Sequence, residues 1–205
     1  MRTQLRTGSS IAVALAALLA AGAYPAAESP LAVDSARVTI AGTSNVHDYT
    51  ASTTKVRVTR AHIGAAIAGS DFWANALKPG ALEAFEIAIP AATLTSPKEG
   101  LDKNMYKALK VEAHPEITFR LARFEPAAAD GAARAIGVLQ IAGVEREVAL
   151  DITTKRTPAG LSVQGKVNLL MTDFGITPPK AMLGMLKTDP KVTVTFETVF
   201  AIPLT

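Results

Sequence analysis

Residues 148–153 read VALDIT and residues 117–122 read ITFRLA, and in both stretches apolar side chains alternate with polar or small ones. Because successive side chains of a strand point to opposite faces, each stretch predicts a strand with one apolar face. The same alternation runs through residues 161–169 and 192–197. Such a sheet has to cover its apolar face, and curling into a barrel is one way to do so. The sequence therefore predicts an all-β fold.

Strand candidates follow one another at short intervals, at residues 37–40, 43–51, 56–61, 85–90, 117–124, 135–141, 148–154, 161–170 and 192–200. Turn-forming residues separate several of them, namely Asp130-Gly131, Ala142-Gly143 and Pro158-Ala159-Gly160. We expect strands 135–141 and 148–154 to form a hairpin, which the strand from Leu161 extends into a meander.

Two helical insertions are expected between the strands. Leu101, Met105 and Leu109 recur at four-residue spacing before His114-Pro115, which favours a short helix. The second helix is expected to begin at Pro178-Pro179 and to carry Met182, Leu183, Met185 and Leu186.

The N-terminal segment is typical of a secretory signal peptide. Arg2 and Arg6 precede an apolar run from Ile11 to Ala21, and Ala21-Gly22-Ala23 supplies small residues for cleavage. We predict a signal peptide at 1–23, a linker at 24–30 and one domain at 31–205, exported to the periplasm or secreted. An uncleaved membrane anchor is the alternative, although the run is short for a span of about 20 residues.

Composition and spacing argue against several chemistries. The chain has no cysteine, which excludes thiolate nucleophiles and zinc–thiolate or iron–sulfur sites. His47, His62 and His114 are too far apart in sequence for a helical metal site, and a buried, hydrogen-bonded His47 on a strand is expected. The net charge of +3 comes with no basic run, which disfavours nucleic-acid binding.

Catalytic motifs are also lacking. No Gly-x-Ser-x-Gly motif and no glycine-rich phosphate loop occurs, and Asp173-Phe174-Gly175 stands without the other protein-kinase motifs. We therefore predict a protein that is not an enzyme, with no cofactor, no metal and no catalytic residue.

Four stretches together resemble the YceI-like family of exported lipid- or polyisoprenoid-binding proteins. They are GTSNVHDY at 42–49, the helix and strand of 101–119 ending in KVEAHPEITF, GVLQIAGVEREVAL at 137–150, and TDFGI at 172–176 followed by VTVTF at 192–196. The chain departs from the family at residues 102–106, where many members carry a histidine and an arginine and this sequence reads DKNMY.

The resemblance implies a lipocalin-like antiparallel β-barrel of about eight strands with two short helical insertions. A barrel of this size can hold one small ligand. The resemblance also implies the ligand class, which is an isoprenoid quinone, a polyprenyl phosphate or another amphiphilic lipid.

The inward-facing apolar residues are the predicted wall of such a lumen. They are Phe85, Ile87, Ile89, Ile117, Phe119, Leu121, Val148, Leu150, Val163, Val167, Val194 and Phe196. Residues of the two predicted helices are candidates for the mouth, where a polar head group would lie. They are Lys103, Asn104, Met105, Tyr106, Lys180, Met182, Met185 and Leu186.

Three alternatives stay open from the residues. The same apolar side chains could fill the barrel completely, which would suit an exported interaction or stress protein. An outer-membrane barrel would turn its apolar face outward, but aromatic residues make up only 5% of the chain, too few for the expected girdles. An enzyme using His47 and Asp48 would need a third group nearby. A homodimer formed through an exposed strand edge is also possible.

Overall fold

The structure, a computed structural model, describes residues 31–64, 72–97, 99–127, 131–181 and 186–202. The predicted signal peptide and linker lie outside these ranges. The described part forms ten strands: β1 Ala32–Ser44, β2 Asp48–Thr53, β3 Arg57–Ile63, β4 Leu82–Pro90, β5 Glu116–Pro126, β6 Ala132–Ile141, β7 Val144–Thr157, β8 Gly160–Leu170, β9 Lys180–Ala181 and β10 Leu186–Ala201. The α-helices are α1 Phe72–Ala76 and α2 Glu99–Ala108, and 3₁₀ turns cover Ala91–Thr93 and Met171–Phe174.

Nine strands form one antiparallel sheet in the order β2-β1-β10-β8-β7-β6-β5-β4-β3, and the short β9 pairs with β10. The edge strands β2 and β3 are consecutive in the chain, and β3 also contacts β1. The sheet therefore curls around its apolar face until its two edges approach each other. This arrangement confirms the predicted all-β, lipocalin-like antiparallel barrel, with nine strands in the curled sheet rather than eight.

The meander β6-β7-β8 agrees with the sequence-based expectation. Val148 pairs with Gly137, and Ile152 pairs with both Ala133 and Gly165, so the alternation of β7 sets the register on both of its sides. The β6–β7 turn has positive φ at Ala142 (51°) and Gly143 (81°). Two successive positive φ values suit a tight hairpin turn that follows the twist of the strands.

The helices lie at opposite ends of the barrel. The helix α1 joins β3 to β4, and its Phe72 and Ala76 pack with Leu31 at the start of β1. The helix α2 joins β4 to β5, and the segment that follows it buries Leu109 against Leu94 at the other end. Each end of the interior is thus bordered by a short helix.

The described residues contain two short helices, as many as predicted, but no helix begins at Pro178-Pro179. Lys180–Ala181 and Leu186–Lys187 pair as antiparallel strands, and the Thr188 amide donates to the Pro179 carbonyl at 3.2 Å. Thr177 and Pro178 each precede a proline and therefore avoid the helical region, so the backbone enters this segment extended. Residues 182–185 lie outside the described ranges, so the predicted helix is contradicted only at its two sides. The second helix observed is α1.

The predicted strand 43–51 is broken in two. Ser44 Oγ accepts hydrogen bonds from the amides of Val46 (3.3 Å) and His47 (3.1 Å), and its hydroxyl donates to the His47 carbonyl (2.8 Å). A serine that bonds its neighbouring backbone in this way competes with the strand ladder and forms a turn. His47 lies in this turn and is exposed, so the prediction of a buried strand histidine is wrong.

Candidate binding lumen

The interior of the curled sheet is hollow. A cavity of about 210 Å³ lies inside it, which we call the inner cavity. Most inward-facing residues of its wall, such as Ile87, Leu150 and Val167, are only half-buried, since part of their surface faces this empty space. A side-chain-filled barrel would bury these residues completely.

Eleven of the twelve predicted wall residues line the inner cavity: Phe85, Ile87, Ile89, Ile117, Phe119, Leu121, Leu150, Val163, Val167, Val194 and Phe196. Val148 does not line it. It packs instead beside the buried cluster of Phe119, Ala133, Ala135 and Ile152. Among the described residues of the lining, the polar ones are Thr118, Thr154 and Thr198, so this part of the wall offers an apolar solute almost no competing hydrogen bonds.

Aromatic rings in the wall lie against glycines of the neighbouring strand. Phe196 pairs with Gly165 across β10 and β8, and a Cβ at Gly165 would lie 2.4 Å from the ring carbon Cζ. The Phe119 ring also lies close to Gly137, where a Cβ would be 2.4 Å from the Arg120 carbonyl oxygen and 2.7 Å from the ring carbon Cζ. A glycine beneath a ring lets the ring pack against the sheet instead of standing up in the interior. These pairs therefore keep bulky side chains out of the lumen.

A second cavity of about 220 Å³ lies beneath α2, and we call it the mouth cavity. It shares five lining residues with the inner cavity: Ile40, Ile117, Ile141, Leu169 and Val194. The two cavities therefore adjoin each other at these shared side chains, and we call the pair the lumen. The mouth cavity is the more polar of the two, because Tyr49, Ser96, Asp102, Asn104 and Thr188 contribute to its wall.

The predicted mouth residues divide into three groups. Asn104 and Met105 line the mouth cavity. Lys103 and Tyr106 do not line it. Lys103 is exposed, and the Tyr106 hydroxyl instead donates a hydrogen bond to the Leu94 carbonyl at 2.7 Å. Of the remaining four, Met182 and Met185 lie outside the described residues, and the structure does not describe the side chains of Lys180 and Leu186.

Tyr49 is a wall residue that the sequence analysis missed. It lies on β2 opposite Gly42 and lines the mouth cavity, and its ring covers that glycine. Its hydroxyl oxygen is buried and has no hydrogen-bond partner among the described residues. Burial, followed by the nearby Asp189 carboxylate, raises the pKa of Tyr49, so the hydroxyl keeps its proton. The sequence feature that could have identified it is its spacing: Tyr49, Ala51 and Thr53 are alternate residues of one strand and therefore face the same side, which is the interior.

The far end of the lumen contains a second set of missed residues. Trp73 and Leu77, on and after α1, line the inner cavity. Trp73 meets Phe72 edge-to-face, with ring centroids 5.0 Å apart. It is the only tryptophan of the chain, so its fluorescence reports on this end of the lumen.

The described residues do not assemble a metal or catalytic cluster at the lumen. No group of three or more histidine, aspartate or glutamate side chains in the described ranges lies close enough to hold a metal ion. His62 lies 3.2 Å from Glu83 on the exposed surface, and His114 packs over the Gly143 turn. Within the same ranges, no helix has the length and hydropathy needed to cross a membrane.

Comparison with solved structures shows the same fold in several bacterial proteins. BcnA of Burkholderia cenocepacia superposes with a TM-score of 0.62 at 14% identity, covering 81% of this chain and 96% of that one. A domain of Saccharophagus degradans, described as polyisoprenoid-binding and implicated in plant cell wall breakdown, gives 0.64 at 12% identity, covering 86% and 100%. The YceI protein of Campylobacter jejuni gives 0.53 at 15% identity, covering 80% and 85%.

The sequence itself matches a family model. No curated protein matches the sequence. The family described as "YceI-like domain" matches residues 31–200, a range that includes both cavities and both helices. This chain belongs to the YceI-like family.

Proposed function

We propose that this protein is an exported, non-enzymatic binding protein that holds an isoprenoid or other long-chain lipid in its lumen. The observation that carries the proposal is the pair of adjoining, mostly apolar cavities inside the sheet, where a filled barrel would have side chains. Membership in the YceI-like family and the fold shared with a domain described as polyisoprenoid-binding support the same ligand class.

The chemistry of the wall suits a hydrocarbon tail. Each methylene moved from water into an apolar site contributes about 0.8 kcal/mol before ordering costs are subtracted. The inner cavity therefore suits the tail, because its lining has almost no polar groups. The polar end of the lipid belongs in the mouth cavity, where Tyr49, Asp102 and Asn104 lie.

Binding rather than catalysis is proposed, because the described lining contains no histidine and no pair of carboxylates. The rival function, an interaction protein with a filled core, is disfavoured by the empty interior.

Export to the periplasm or the medium is proposed from the signal-peptide pattern, and N-terminal sequencing of the mature protein tests it. Pairing of the edge strands β2 or β3 with those of a second copy is a route to a homodimer.

A tryptophan placed inside the lumen tests the proposal. Val194 lines both cavities, so Val194→Trp would fill space at the point where the two cavities adjoin. The matched control is Thr195→Trp, the next residue on the same strand, which is exposed on the outer face. We expect the parent and Thr195→Trp to take up an isoprenoid alcohol and Val194→Trp to take up much less, with all three folded by circular dichroism. Equal uptake by the two tryptophan variants would contradict the proposal.

A further inference from the structure

The walls of both cavities carry very little charge. Among the described residues that line them, there is no lysine, arginine or histidine. Of the same described lining residues, Asp102 in the mouth cavity is the one with a charged side chain. An anionic ligand group in the mouth cavity would therefore meet the Asp102 carboxylate and no cationic side chain among the described lining residues.

The carboxylate of Asp102 is held in place. Its Oδ1 accepts a hydrogen bond from the Ser96 backbone amide at 2.8 Å, which ties α2 to the segment after β4. The pKa of Tyr106, one helical turn away, is raised first by burial and then by the negative charge of Asp102. The charge of Asp102 therefore acts on neighbouring groups. A charged ligand group in the mouth cavity would interact with Asp102 more strongly than in bulk water, because most of the surrounding wall is apolar.

The other side of the mouth cavity offers a hydrogen-bond donor without positive charge. The Tyr49 hydroxyl has no partner among the described residues, and it lies near the Asp189 carboxylate. In this conformation the ring lies against Gly42 and the oxygen is shielded, so a ligand oxygen reaches it when the ring moves toward the cavity. A neutral oxygen acceptor satisfies this donor without adding a second negative charge.

We propose that the lipid carries an uncharged polar end, as in an isoprenoid alcohol or a quinone, and that Asp102 excludes phosphate head groups from the mouth cavity. This inference rests on the proposed function and selects among its ligands. Moving an anion out of water without a cation to pair with it is costly. A neutral head group avoids that cost.

The experiment compares geranylgeraniol with geranylgeranyl monophosphate, which share one tail and differ in the charge of the head. Each is titrated into the purified full-length protein below its micelle concentration and followed by the fluorescence of Trp73. We expect the alcohol to bind at least about tenfold more tightly than the phosphate. Asp102→Asn keeps the acceptor for Ser96 and removes the charge, so it should improve phosphate binding by roughly three- to tenfold and leave alcohol binding unchanged.

Two controls separate this effect from a change in overall charge. Asp34→Asn makes the same substitution on an exposed residue at the start of β1, at the opposite end of the barrel, and should change neither affinity. Raising the salt concentration should strengthen phosphate binding to the parent and have less effect on Asp102→Asn, because salt screens the repulsion.

The outcomes distinguish the two proposals. If the phosphate binds as tightly as the alcohol, or if Asp102→Asn behaves like Asp34→Asn, the inference about the head group is wrong while the lipid-binding function stands. If neither ligand binds, both proposals are wrong.

Discussion

A methyl group added at Gly165 should close part of the lumen by lifting the ring of Phe196 off the sheet. An ideal Cβ at this glycine would lie 2.4, 2.9 and 3.0 Å from three carbons of that ring. Carbon atoms in contact normally lie about 3.5–4.0 Å apart, so the ring has to move by about 1 Å or more. The sheet blocks movement in one direction, and the lumen is the free space in the other.

The magnitude follows from the space that the ring then occupies. If the displaced ring excludes two methylene groups of a bound lipid, binding weakens by about 1.6 kcal/mol, at about 0.8 kcal/mol for each group. This corresponds to a dissociation constant that is roughly tenfold larger. The protein itself should lose about 1–3 kcal/mol of unfolding free energy through overpacking.

The assay measures the dissociation constant of an isoprenoid alcohol by titration against Trp73 fluorescence, together with urea unfolding. Gly100→Ala is the control, because a Cβ at Gly100 would meet no heavy atom within 4 Å. Gly100→Ala should leave binding unchanged. It should raise the unfolding free energy by about 0.5–1 kcal/mol, because alanine is more favourable than glycine within a helix such as α2. Phe196→Leu combined with Gly165→Ala should restore binding, because leucine lacks the ring. Unchanged binding by Gly165→Ala would refute the idea that glycines hold the wall rings out of the lumen.

Three further predictions concern single groups. Tyr106→Phe should lower the unfolding free energy by about 1 kcal/mol in urea denaturation, since the buried Leu94 carbonyl loses its donor. Ala142→Gly should raise it by no more than several tenths of a kcal/mol in the same assay, because glycine relieves about 1–2 kcal/mol of strain at this positive φ but removes a buried methyl worth about 0.8 kcal/mol. The raised pKa of Tyr49 should make unfolding free energy fall as pH rises above the ordinary tyrosine pKa, because the unfolded state loses this proton first. Tyr49→Phe should show a weaker fall over the same pH range.

Each of these has a clear contrary result. An unfolding free energy unchanged in Tyr106→Phe would mean that its hydrogen bond contributes nothing net. A loss of stability in Ala142→Gly would mean that the alanine methyl packs more favourably than the strained turn costs. Identical alkaline profiles for the parent and Tyr49→Phe would show that this hydroxyl titrates equally in the folded and unfolded states.

The strands and the lumen wall could be predicted because a single local rule governs both. In β7, the alternation of Val148, Leu150 and Ile152 with polar residues fixes which face points inward, and no knowledge of the partner strands is needed. The same rule found the wall residues on β4, β5, β8 and β10. Val148 follows the rule and points inward, but it packs against the cluster around Phe119 and does not line the cavity. The alternation of residues along one strand carries no information about this packing between strands.

Features that depend on strand pairing could not be predicted. Phe196 lies over Gly165, and Tyr49 over Gly42, only because of the register between strands that the sequence does not state.

The helix α1 has five residues, which is too short to show a helical repeat of apolar side chains. The apolar spacing after Pro179 is helix-like, but at Lys180–Ala181 the pairing with Leu186–Lys187 makes the backbone extended, and such pairing is not visible in the spacing.

Native mass spectrometry of the purified protein tests the central claim, which is that a mostly apolar lumen holds a long-chain lipid. We expect the intact mass to exceed that of the polypeptide by one lipid, and extraction with organic solvent to remove the excess and release that molecule. A protein that carries only its polypeptide mass, and takes up no isoprenoid alcohol when one is added, would contradict the claim.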